Sequence, residues 1–177
     1  DISTDSLGSA NLENLISHSK KVVDATKDIA LAYKPNFAFF EKWGSKGFEW
    51  LEEMMGYIGD GPITIADAKR GDIGNTAKQY AASIFGHFDF DSVTLSPYMG
   101  EDSIMPFLNN EEKGVFILCR TSNPSAKTFQ SLNFHDEIKL YEQVAKWADS
   151  LNENDNVGLV VGATAPEELI KVRRLAP

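Results

Sequence analysis

The sequence predicts an α/β fold in which a parallel sheet is covered by helices. One observation is that apolar residues switch repeatedly between helical spacing and short unbroken runs bounded by turn residues, one helix to each strand along the 177 residues. Another is that the runs themselves, such as "SVTLS", "GVFILC" and "VGLVVG", are nearly continuous in apolar residues. Strands buried on both faces have that composition, and parallel sheets bury both faces.

Taken in order, Leu12, Leu15, Ile16, Val22, Val23 and Ile29 fall near helical spacing with Lys and Asp between them, so a helix is expected over residues 11–29. "LAYKPNF" reads as a short buried strand. Residues 45–58 return to helical spacing, and Gly59, Gly61 and Pro62 end that helix. "PITIADAK" is the next strand, followed by a helix over 75–85, the strand "SVTLS", a short helix over 102–109 and the strand "GVFILCR". Asp102 stands near the start of that short helix, where its charge suits the dipole. A helix over 136–151, the strand "VGLVVGA" and a helix over 166–175 complete the series.

Five strands suffice for a doubly wound open sheet, whereas a (β/α)8 barrel needs eight and typically about 250 residues. Strand count therefore favours the open sheet. Against it, polar or charged residues sit at the C-terminal end of strand after strand: Lys34 and Asn36, Asp67 and Lys69, Ser96, then Arg120 and Ser122. Barrel enzymes draw their sites from many strand ends, while an open sheet concentrates its ligand at one switch point. A barrel containing this chain extends beyond it at both ends.

Composition excludes several function classes. A formal net charge of −9 disfavours a nucleic-acid partner, which usually meets a basic field. Cys119 is the single cysteine and lies in an apolar run, so no disulfide framework or Cys-rich metal site is possible, and a reducing cytoplasm fits best. No segment approaches the roughly 18 apolar residues of a membrane span.

The stretch "IADAKRGDIGNT", residues 65–76, sets Asp67, Lys69, Arg70 and Asp72 at the end of a strand. Strand geometry aims Asp67 and Lys69 to one face and Ala68 to the other, and Gly71 lets the backbone turn so that Asp72 aims elsewhere. Lys34, at the end of the preceding strand, completes an alternating set of ammonium and carboxylate groups. Alternation keeps all of them ionised in a partly dry site, where an unpaired charge costs several kcal/mol. An ammonium fixed near a substrate carbon can stabilise a developing carbanion and then protonate it, and a neighbouring carboxylate repels a substrate carboxylate beside it. That chemistry suits loss of CO2. On pattern alone a solvated loop with surface ion pairs remains open, as does a Mg²⁺ site at Asp67 and Asp72 with two lysines competing against the ion.

The longer string "DAKRGDIGNTAKQYA" closely resembles the signature of orotidine 5′-phosphate decarboxylases, and "YKPNFAFFEKWG", "TLSPYMGEDSIMPF", "CRTSNPSA" and "GLVVGATAPEEL" match in the same order, over most of residues 28–177. The match is to the branch of that family found in many bacteria. The resemblance implies a TIM (β/α)8 barrel and a homodimer that converts orotidine 5′-monophosphate to UMP and CO2 in pyrimidine biosynthesis without metal or organic cofactor. It makes Lys34, Asp67 and Lys69 the family's Lys-Asp-Lys set, with Lys69 protonating C6 of the pyrimidine and Asp67 beside the substrate carboxylate. Asp72 and Thr76 match positions that reach across the dimer into the partner's site, Asn36 a polar residue facing substrate, and Ser122 the hydroxyl that reads the pyrimidine ring. The family's Leu-Asp-Pro-Asp segment on the first strand has at most Asp1 as a counterpart here, and its phosphate-gripping loop lies beyond "RRLAP".

Two other functions stay open: a keto-sugar-phosphate decarboxylase that uses a similar D-x-K-x-x-D with Mg²⁺, and a non-catalytic partial barrel serving as a dimerisation module. His18, His87 and His135 have no partner spacing and are read as surface or packing residues. Arg70 is read as a structural ion pair, and Cys119 and the aromatics Phe37, Phe39, Phe40, Trp43, Phe48 and Trp50 as core.

Overall fold

The computed structural model describes residues 11–177, so Asp1 lies outside the described residues. In chain order the elements are α1 (Leu12–Thr26), β1 (Ala32–Tyr33), α2 (Ala38–Glu41), α3 (Ser45–Ile58), β2 (Ile63–Arg70) and α4 (Gly74–Ala81). A π-helical turn (Ala82–His87), β3 (Ser92–Leu95), a 3-10 turn (Glu101–Ser103), α5 (Met105–Leu108) and β4 (Gly114–Arg120) follow. After a 3-10 turn (Pro124–Ala126) come α6 (Lys127–Gln130), β5 (Asn133–His135), β6 (Ile138–Lys139), α7 (Leu140–Ser150), β7 (Val157–Val161) and α8 (Pro166–Leu175). The five strands expected from the sequence form one sheet in the order β1-β2-β3-β4-β7.

The helix expected over 11–29 ends at Thr26, the one over 75–85 passes into the π-helical turn after Ala81, and the one over 102–109 divides into a 3-10 turn and α5. Two further features depart from expectation. The first strand shortens to two residues because Pro35 has no N–H to offer the ladder. Its register nevertheless survives the interruption: Ala32 and Tyr33 pair with Ile63 and Thr64, and Asn36 bridges to Asp67 at the same offset. The helix expected over 136–151 begins only at Leu140, because residues before it fold into the β5-β6 hairpin. Asp136 and Glu137 turn that hairpin with φ of 45° and 65°, the mirror-image geometry that matches strand twist. No Gly or Asn marks the turn, which is why the sequence concealed it.

The chain forms two compact units. In the first, residues 11–68 with Ala82–Ser92, α3 presents Gly47, Trp50, Leu51, Met54 and Ile58 as one buried stripe. Phe37, Phe48, Phe88 and Phe90 meet edge-on or tilted with centroids 5.8 to 6.4 Å apart, arrangements that aromatic quadrupoles favour. Of the aromatics expected in the core, Phe37, Phe40 and Trp50 are buried, each contributing about 1.5–3 kcal/mol, whereas Phe39, Trp43 and Phe48 are half-buried. The amide and hydroxyl of Thr64 both donate to Asp91 Oδ2, at 2.8 and 2.9 Å, which fixes the approach to β3.

In the second unit, Lys69–Ala81 with Val93–Pro177, β4 pairs in parallel with β7 from Val115 and Val157 onward, with a register shift between Leu118 and Arg120. Cys119, Tyr141, Ala145 and Val172 form a buried cluster beneath these strands. Burial pushes the Cys119 thiol up to about 12. The thiolate is the reactive form, so Cys119 is expected to resist iodoacetamide at mildly alkaline pH in the folded protein and to label fully in guanidinium chloride. Mass spectrometry reads the difference, and rapid labelling of the native protein contradicts the assignment.

Candidate active site

Asp67 is held from both sides by the chain that continues β1. Its N–H donates to Pro35 O at 2.9 Å, and its carbonyl accepts from Phe37 N–H at 3.2 Å. Its side chain is 7% exposed, and Lys34 Nζ lies 2.9 Å from Oδ2 while its own side chain stays 51% exposed. A lysine tip in water and a carboxylate out of it make an asymmetric pair. The ammonium offsets the desolvation of the acid, and removing it costs more than losing a fully exposed ion pair.

Lys69 lies on the same strand and belongs to the second unit. It is exposed and has φ of 47°, so the strict alternation expected along β2 ends before it and strand spacing alone does not set where its amine points. The left-handed region costs a non-glycine residue roughly 1–2 kcal/mol. Its N–H donates to the hydroxyl of Thr94 on β3 at 3.0 Å. The sequence placed the backbone's freedom at Gly71, yet Gly71 is not among the glycines of positive φ. Gly71 serves close approach instead, since a Cβ there falls 3.0 Å from Ser96 Cβ.

Asp72 is half-buried and its Oδ1 accepts the Ile73 N–H at 2.8 Å. Thr76 is exposed in the first turn of α4. Asn36 takes a local role as well, its Oδ1 accepting the Ala38 N–H at 3.1 Å at the start of α2.

Ser122 is exposed just past β4, in a segment braced by residues whose part the sequence did not reveal. Arg120 Nε lies 2.6 Å from Glu168 Oε2, and Arg120 Nη1 donates to Thr121 O at 2.5 Å. Gln130 accepts the Thr121 N–H at 2.9 Å and donates back to its hydroxyl at 2.8 Å. Gly162 N–H donates to Arg120 O at 2.7 Å, and a Cβ on Gly162 falls 2.9 Å from Ser122 Cβ and 3.0 Å from its backbone N. The one legible signal was Arg120 itself, a charge closing an apolar strand. Below it, burial first and then the Glu142 and Glu168 carboxylates push the Tyr141 phenol up to about 12, so it stays protonated and donates to Glu142 at 3.3 Å.

Of the remaining candidates, Arg70 stacks over the Tyr80 ring with its guanidinium carbon 5.0 Å from the centroid. His87 Nε2 lies 2.6 Å from Glu52 at the surface. Among the described residues no group of three or more His, Cys, Asp or Glu side chains is placed to hold a metal ion, and no helix is long and apolar enough to cross a membrane.

With this geometry in view, comparison with known proteins is decisive. The sequence model of the "Orotidine 5'-phosphate decarboxylase / HUMPS family" matches residues 9–176. The chain belongs to this family. It is 51% identical over 160 residues to an orotidine 5′-phosphate decarboxylase of Halorubrum lacusprofundi, covering 90% of this chain and 56% of the relative. Against the protein of the same name from Roseiflexus sp. strain RS-1 it is 45% identical, covering 95% of this chain and 62% of the relative. The solved structure of Leishmania donovani OMP decarboxylase superposes with a TM-score of 0.91 at 44% identity, covering 96% of this chain and 68% of that one. The chain thus spans about 56–62% of these curated relatives' length. Family membership decides between the two architectures that strand count left open: the five strands are part of an orotidine 5′-phosphate decarboxylase barrel, not a doubly wound sheet.

Proposed function

We propose that this chain carries the carbon-acid half of an active site that converts orotidine 5′-monophosphate to UMP and CO2. The observation that carries this reading is the dry Asp67 carboxylate, neutralised by Lys34 on one strand and followed by Lys69 on its own, in a member of this family. Lys34 keeps Asp67 ionised. An ionised Asp67 beside the substrate carboxylate disfavours the bound anion, and that repulsion vanishes as neutral CO2 departs. The electron pair of the broken bond stays on C6, where the Lys69 ammonium stabilises it and then supplies the proton, leaving a neutral amine. The balance is one proton and one substrate anion in, UMP and CO2 out, with no electron sink and no metal.

Asn36 and Ser122 serve as substrate contacts in this reading, with Ser122 bonding the pyrimidine. Loss of one such hydrogen bond is worth about 1–1.5 kcal/mol, so Ser122→Ala is expected to lower kcat/KM roughly tenfold. Gly162→Ala is expected to do the same by displacing Ser122, and steady-state kinetics with both variants checks the pairing. Asp72 and Thr76 complete the neighbouring protomer's site in a homodimer. Support for that face comes from Ile73, Tyr98, Met99 and Met105, which are 52%, 89%, 46% and 39% exposed on segments adjoining α4. Large apolar side chains so placed suit an interface. A cytoplasmic setting agrees with the lone buried thiol.

The deciding experiment follows the ultraviolet band of orotidine 5′-monophosphate on addition of the full-length protein in EDTA, with Lys69→Ala as control. Loss of the band with wild type alone supports metal-free decarboxylation. Loss only when Mg²⁺ is restored assigns the chemistry to a metal-dependent member of the group, and no loss in either condition supports a non-catalytic module.

A further inference from the structure

Five non-glycine residues among those described have left-handed φ, namely Lys69, Asp89, Asp136, Glu137 and Asp155. Four are acidic residues in turns or loops, where such geometry is common. Lys69 alone lies inside a strand, and it carries the amine on which the proposed chemistry depends. A strained residue persists only where its surroundings over-determine it, and such residues gather at functional sites.

The structure supplies the group that determines it. At Lys69 the N–H turns to a side chain, Thr94 Oγ1 at 3.0 Å, and the backbone pairing resumes one residue later with Ser96 N–H donating to Arg70 O at 2.7 Å. Thr94 is 3% exposed on β3, a strand whose four residues are all buried, so its hydroxyl is fixed by packing on a rigid element. We propose that Thr94 is a positioning residue for Lys69: its hydroxyl captures the Lys69 amide, locks the backbone in the left-handed region and thereby sets the direction in which the ammonium leaves the strand. The inference rests on the decarboxylase reading for its consequence and on geometry alone for its cause.

The physics is that of a switch in the Cα–Cβ direction. Left-handed and extended backbones project the side chain differently, and a misplacement of about 1 Å at a reacting group can cost on the order of 100-fold in rate. Without the hydroxyl the amide loses its Thr94 acceptor, and extended backbone becomes the lower-energy state for a lysine.

The test compares Thr94→Val, which keeps shape and loses the hydroxyl, with Thr94→Ser, which keeps the hydroxyl, both in the full-length protein. Expected is a fall in kcat on the order of 100-fold for the valine variant with KM little changed, and retention of most of kcat by the serine variant. In parallel, the ¹³Cα and carbonyl chemical shifts of Lys69 should leave the left-handed range in the valine variant and remain there in the serine variant. A folded valine variant with unchanged kcat, or with Lys69 still left-handed, overturns the proposal. Should the valine variant not fold, Thr94→Ala is read by the same shifts. Because the shifts report backbone geometry without turnover, absence of decarboxylation in the wild type refutes the functional reading and leaves the positioning test intact.

Discussion

Lys69→Ala is expected to lower kcat for orotidine 5′-monophosphate by at least about 10⁴-fold, because the variant loses both the charge that stabilises the carbanion and the acid that protonates it. The melting temperature should barely move. Lys69 is exposed, and alanine shares its backbone strain. Lys69→Gly sharpens the case: it should be equally inactive yet melt no lower than the alanine variant, since glycine occupies the left-handed region without penalty. Calorimetry and kinetics on the three proteins together separate a functional strain from an incidental one. Turnover within tenfold of wild type in either variant sinks the role given to Lys69.

Mixing two dead enzymes should restore a live one. Asp72→Ala and Lys69→Ala each disable both sites of their own homodimer if Asp72 serves the partner's site. In the mixed dimer one site combines the intact Lys69 of one protomer with the intact Asp72 of the other, while the second site carries both defects. Random reassortment of equal amounts then returns about one quarter of wild-type activity by the two-fold symmetry of the assembly. Native mass spectrometry with one variant carrying an affinity tag confirms that mixed dimers have formed, and their complete inactivity rules out the shared site. The half-buried Asp72, its Oδ1 accepting the neighbouring Ile73 N–H, is consistent with a carboxylate held at the surface for use by another chain.

Much of the fold was legible because its signals are local. Helices α3, α8 and strand β4 begin and end where apolar spacing and turn residues put them. The β5-β6 hairpin was not legible, because the residues that adopt its two left-handed positions, Asp136 and Glu137, carry no glycine signal and precede a genuine helix. The choice between an open sheet and a barrel was beyond strand counting, since both use the same alternating unit and differ only in closure.

At the candidate site the sequence by itself determined the chemistry available: which acids and amines stand at strand ends, and that Asp67 must share its strand with Lys69. Only the tertiary structure decided how those groups are held. It put Lys34 on the Asp67 carboxylate through a strand interrupted at Pro35. It also set Lys69 left-handed against Thr94, a residue 25 positions away, and braced the approach to Ser122 with Arg120, Glu168 and Gly162. The physical reason is that residue type and short spacing encode charge and local geometry, whereas hydrogen bonds between distant segments exist only once the sheet has brought their strands side by side.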